Sequence, residues 1–252
     1  LLRPAQLDQR LNEVFRILAP AIYKTYALAD DAYRFSRPEP LGPSTIPPVF
    51  TEVVSRLRLP LPSVWFSTES APIALVHRTV PALVLGPGID QLNAIEQKFL
   101  ASRILLLTKP EYFLASHPSP LEERIMHLSA LFNGSIQLTK NGKLDKKILP
   151  LVKRTLSLLD NQQILSLTQI LTEATPIDPE VVASWLNAID LMASRVGFVL
   201  TDNLDVANRL TRDLKDTISS LSVSDRLTDL LLFSVSKDYL IARGDLGSRF
   251  NH

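Results

Sequence analysis

The sequence predicts an α+β domain that is mainly α, with a small three-stranded sheet packed on a helical core. Three observations predict this. Apolar residues recur at three- and four-residue steps through most of the chain, the period of a one-sided helix. Short apolar runs of strand type are confined to residues 63–86. The 252 residues are 46% hydrophobic and 21% charged, enough apolar matter for a real core.

Taken in order, Ala5 to Tyr26 reads as an amphipathic helix. Leu7, Leu11, Val14, Phe15, Leu18 and Ile22 form its apolar stripe, and Pro20 is a candidate bend. Arg37 to Phe50 holds Pro38, Pro40, Pro43, Pro47 and Pro48, an extended connector unsuited to a sheet interior. Residues 1–50 thus read as an N-terminal helix and connector, and 51–252 as the main domain. Thr51 to Leu57 is a short helix capped by Thr51. Val64–Phe66, Pro72–Val76 and Ala82–Leu85 are three short strands, antiparallel in part. Gln91 to Thr108 is a helix, capped by Asp90 and stopped by Pro110. The remainder reads as helices over Ser119–Phe132, Leu144–Leu159, Gln162–Ala174, Pro179–Leu200, Asp205–Leu221 and Asp225–Ala242. Asn133-Gly134, Asn141-Gly142 and Pro176 to Pro179 punctuate them.

Composition narrows the function classes. With 27 basic and 26 acidic residues the net charge is +1, so no electrostatic argument favours nucleic acid or an anionic membrane. No cysteine is present, which removes disulfides, thiol nucleophiles and thiolate metal sites and fits a reducing, cytoplasmic compartment. No apolar run reaches the ~18 residues of a membrane span. The start at Leu1 suggests a piece of something longer. His77, His117, His127 and His252 show no ligand spacing and read as surface or turn residues. Ser234 and Ser236 lack a GxSxG context. Lys140, Lys143, Lys146 and Lys147 read as a solvated basic turn. Asp205, Asp213, Asp216, Asp225 and Asp229, with Arg209, Arg212, Lys215 and Arg226, read as solvated helix faces.

Two helices carry a sharper signal. The first is Gln91–Thr108, apolar nearly all round from Phe99 onward, which marks a central helix. Arg103 breaks it, lying among Leu100, Ile104 and Leu107, where a charge is costly unless paired. The stretch resembles the active-site helix of HtpX-like (gluzincin) zinc metallopeptidases. Ala82–Leu85, Gly86-Pro87-Gly88, Glu96 and Phe99 match that family's strand, turn and helix lead-in. Its HExxH motif then falls on Arg103-Ile104-Leu105-Leu106-Leu107. Arg103 and Leu107 stand where the histidines would be, and Ile104 where the general-base glutamate would be. In the second helix, Asp190, Ala193, Ser194, Arg195 and Gly197 fall on the family's third-ligand pattern, with Asp190 for the ligand glutamate and Ser194 for an aspartate. Over Thr51–Gly247 the chain is also similar to peptidase-like domains without metal in large bacterial tetratricopeptide-repeat proteins.

The resemblance implies a fold that has lost its chemistry. A catalytic zinc takes about three protein ligands and an open position, and these positions offer at most Asp190. No metal, cofactor or catalytic residue is expected. Arg103 and Asp190 are expected either to pair across the two helices or to part, with Arg103 reaching for solvent along Leu107. The function implied is a non-catalytic module that binds a protein partner or serves as a scaffold. An enzyme of another class using the same cleft, or a purely structural helical domain, are the alternatives.

Overall fold

A computed structural model describes residues 4, 7–29, 39–42, 45–68, 71–140, 146, 148–214 and 218–247. It is an α+β fold, mainly α, with ten α-helices and a four-stranded sheet among the described residues. Helix α1 (Gln9–Tyr26) is capped by Asp8, which accepts from the main-chain N of Arg10 at 2.8 Å. Its stripe of Leu11, Val14, Phe15, Leu18 and Ile22 is fully buried. The Trp185 indole donates to Asn12 at 2.8 Å, tying that stripe to a helix 173 residues away.

The sheet has the order β1-β2-β4-β3, with β1 Glu39–Pro40, β2 Ser63–Phe66, β3 Ile73–Val76 and β4 Ala82–Leu85. β1 lies antiparallel to β2, β2 parallel to β4, and β3 antiparallel to β4. The expected three strands are therefore four. The extra one is two residues of the proline-rich connector on an edge, the sheet position that tolerates a missing N–H. Helix α2 (Pro48–Leu57) begins before Thr51, at Pro48, where the fixed φ and absent N–H suit a first helical position.

Helix α3 (Ala94–Leu107) follows a single 3₁₀ turn at Pro87–Gln91. Its cap is Asn93, not Asp90. The Asn93 side chain accepts from the N–H of Glu96, and the Glu96 carboxylate accepts from that of Asn93. A 3₁₀ turn at Pro110–Tyr112 leads to α4 (Leu121–Thr139). Asn133-Gly134 does not punctuate α4 but lies inside it. A Cβ on Gly134 would come 2.5 Å from Val152, so the glycine lets α5 (Leu149–Leu156) pack close. α6 (Asn161–Leu171), α7 (Pro179–Thr201) and α8 (Leu204–Asp213) follow. The expected last helix is two, α9 (Val223–Ser234) and α10 (Lys237–Gly247), broken at Val235-Ser236. Residues 218–221, expected as helix, are not helical.

α3 is the centre of the fold: α7, α2, α8 and β3 all pack on it. α3 and α7 meet at Gly197, where an added Cβ would lie 2.7 Å from the Phe99 ring and 3.1 Å from the Phe99 carbonyl oxygen. No helix among the described residues is long and apolar enough to cross a membrane.

Candidate functional site

Arg103 leaves α3 one turn after Phe99 and Asp190 lies on α7 about two turns before Gly197, so the close crossing brings them face to face. The Arg103 guanidinium donates through Nη2 to Asp190 Oδ1, and through Nη1 to the Ser194 hydroxyl and, at 3.2 Å, to the main-chain oxygen of Asp190. The other carboxylate oxygen, Oδ2, accepts from the Ser219 hydroxyl at 2.5 Å. Arg103 is 6% exposed and Asp190 and Ser194 are 0%, so this is an ion pair out of water, not an arginine reaching for it. A buried carboxylate survives when its charge is paired and its lone pairs are satisfied, and both conditions hold here.

The remaining motif positions supply no chemistry. Leu107 is buried in the main core and Ile104 is half-buried against it. A guanidinium offers only donors, Ile104 and Leu107 offer no lone pair, and each oxygen of Asp190 already holds a hydrogen. This donor set does not fit zinc.

Arg124, on the first turn of α4, is 5% exposed. It donates to the carbonyl oxygens of Ala115 at 2.5 Å and Ile218 at 3.4 Å. Burial lowers its pKa, and the charge of Asp190 opposes that shift. Asn187 accepts from the main-chain N of Ser220 at 3.1 Å. Residues 218–220 are thus held over the pair by Arg124, Asp190 and Asn187.

Arg195 follows the motif but serves elsewhere. It holds Asp229 of α9 through Nε at 2.9 Å and Nη2 at 2.5 Å, with its guanidinium 4.9 Å from the Phe233 ring centre. Arg209 of α8 pairs with Glu96 of α3, and Arg226 is buried. Asp229 and Arg226 are therefore not solvated helix faces, whereas Arg209 stays exposed while it reaches Glu96. Main-chain hydrogen bonding at Asn93, and the Arg209 pairing after it, hold the Glu96 carboxyl below the usual carboxylate range. Lys215, Asp216, Lys143, Lys147 and His252 lie outside the described residues. Lys140 donates to the carbonyl of Ala174 at 2.8 Å.

The histidines need a larger correction. His77 is 2% exposed, at the end of β3, and three of the four converge. The rings of His77 and His117 are 5.3 Å apart, and Tyr26 lies 6.0 Å from His117 and 5.4 Å from His127. His77 shares a 3.1 Å hydrogen bond with the Ser116 hydroxyl. Burial, and then the nearby His117, push the His77 pKa down to about 3. Burial also lowers His117. Sequence spacing could not reveal this group, because it is assembled from α1, β3, the 113–119 turn and α4. Among the described residues no set of three or more His, Asp or Glu is placed to hold a metal ion.

Compared with known proteins, the chain matches no family model, no curated protein and no solved structure. The family resemblance therefore stands on the residues quoted for it and on nothing wider.

Proposed function

We propose that the chain is a non-catalytic, metallopeptidase-like module that binds or scaffolds a protein partner, within a larger bacterial protein of the cytoplasm. The observation that carries this reading is the pairing of Arg103 with Asp190, at two positions that the resemblance assigns to metal ligands. A fixed internal ion pair, closed by Ser194 and Ser219, replaces an open metal position with a rigid joint between α3 and α7.

The sheet offers a place for an extended partner. β3 is an edge strand. The Gly86 N–H donates to the Pro72 carbonyl, so 72, 74 and 76 turn their main-chain groups toward β4, and Ile73 and Leu75 turn theirs to the open side. The next outward carbonyl, that of His77, already accepts from the Leu28 N–H at 2.7 Å, so strand addition is confined to Ile73 and Leu75.

Two experiments test the reading. Arg103→His, Ile104→Glu and Leu107→His, combined with Asp190→Glu, is expected to create zinc binding that the parent lacks. A folded variant that takes up no zinc sinks the kinship. Binding of an extended-peptide library to the intact chain, followed by fluorescence anisotropy, is expected to vanish in Leu75→Pro while Leu75→Ala retains it. Cleavage of any such peptide by the parent overturns the non-catalytic reading.

A further inference from the structure

The tail of α1 closes one end of the β3 edge. Leu28, two residues past the helix, makes the single main-chain bond that occupies the His77 carbonyl. Side chains join the same two segments. The His77 ring lies 4.8 Å from Phe113 and 5.3 Å from His117. Tyr26, the last residue of α1, packs on His117 and His127. The tail of α1 is therefore seated on a cluster of imidazoles whose innermost member, His77, carries the carbonyl that Leu28 covers.

This cluster is built for neutral rings. Ser119 donates its main-chain N–H to Nδ1 of His117 at 3.3 Å. An imidazolium carries an N–H on both nitrogens and keeps no lone pair to accept with, so a proton on His117 sets two donors against each other. The groups around the cluster come from four other segments: Tyr23 and Tyr26 on α1, Glu111 ahead of the 113–119 turn, Glu123, Arg124 and His127 on α4, and Arg154 on α5. Glu111 acts on Tyr23, and Glu123 favours charge on His117 and lies 3.9 Å from His127. The charges that act on His77 include His117 and Arg124, and both oppose its protonation. Closed, the joint refuses a proton at His77; opened to water, the same ring is an ordinary histidine.

We propose that the joint between the tail of α1 and the His77 end of β3 is opened by acid: protons enter the histidine cluster when Tyr26 to Leu28 lift off, and that lifting frees the His77 carbonyl for an extended partner. The joint stands on its own geometry. Its use by a partner rests on the strand-addition reading above.

Hydrogen exchange of the intact chain at pH 7 and pH 5, with the Leu28 amide corrected for its intrinsic rate, tests it. A histidine that stays neutral in the closed joint and titrates normally in the open one multiplies the opening constant by about 25 between those values. Leu28 protection is expected to fall by about that factor or more. The fall should be insensitive to low urea, because a local opening exposes little surface. His77→Gln should abolish most of it, and His117→Gln, at the half-buried ring, should reduce it. Unchanged Leu28 protection overturns the proposal. So does a fall that tracks urea in step with the amide of Ile189, buried in α7, which marks unfolding of the whole chain. A fall that persists in full in both variants overturns it too. Fluorescence anisotropy with an extended peptide free of titratable side chains completes the test, and binding should tighten at pH 5 in proportion to the opening. Equal affinity at both pH values while Leu28 opens overturns the gating of the edge. If Leu28 opens and no peptide binds at either pH, strand addition falls and the acid-opened joint stands.

Discussion

Two buried polar clusters among the described residues, around Asp190 and around His77, are stabilised in opposite ways. Around Asp190 the groups are charged, and each oxygen of the carboxylate accepts one hydrogen bond, from Arg103 or from Ser219. Around His77 burial disfavours protonation of the His77 and His117 rings, and the Tyr26 hydroxyl has no hydrogen-bond partner among the described residues. Arg124 connects them electrostatically: Asp190 favours its charge, and that charge in turn discourages protonation of His77 and His117. The contrast shows what a fold needs to bury polarity. An ion pair is intolerant of losing one member. A neutral aromatic cluster tolerates incomplete hydrogen bonding but not a proton.

The largest expected effect breaks the charged cluster. Arg103→Ala leaves Asp190 as an unpaired buried carboxylate and should cost ~3–5 kcal/mol by chemical denaturation. An unchanged denaturation midpoint contradicts the pairing. Replacing both partners sharpens the point: Arg103→Met with Asp190→Leu should recover most of that loss, because no charge remains to be desolvated. Ser219→Ala removes one hydrogen bond to a charged acceptor and should cost about 1.5–3 kcal/mol, with the 218–220 segment exchanging amide hydrogens faster.

The neutral cluster is tested by pH. The folded pKa of His77 lies below its unfolded value, so between roughly 6.5 and 3 the unfolded chain binds the extra proton. Its contribution is complete above pH 6.5 and is lost as pH falls through that window, at about 1.4 kcal/mol per unit. Stability at pH 5 should therefore lie about 2 kcal/mol below that at pH 7 on this account alone. His77→Gln should flatten the curve over the same range. If it leaves the slope intact, the cluster is not the cause.

Legibility from sequence divided along the same line. The positions of α3 and α7 follow from apolar period, and Arg103 stands out as the one charge in the apolar run from Phe99 to Leu107. Its placement opposite Asp190 was one of two open outcomes, since nothing in a one-dimensional pattern fixes where a long side chain turns. Ser219 and Arg124 gave no signal: a serine in a stretch read as helix, and an arginine in an acidic first turn. Asp90 and Asn93 are equally good capping residues in sequence, and the extra 3₁₀ turn decides for Asn93. Asn133-Gly134 suits a turn in sequence, whereas in the structure the glycine serves α5 packing and the asparagine binds another segment. The break between α9 and α10 was invisible because apolar residues continue through it.

That asparagine has a chemical corollary. The Asn133 side chain clamps Ile177, donating to its carbonyl and accepting from its N–H, both at 2.8 Å, just ahead of α7. An Asn-Gly step is prone to lose its amide nitrogen when the following N–H is free to attack, yet here that N–H is tied into the interior of α4. The native chain should therefore age slowly at this step, and each conversion to a carboxylate should record a moment when the middle of α4 had opened. Counting such products by mass spectrometry would read, over days, how often the support beneath α7 lets go.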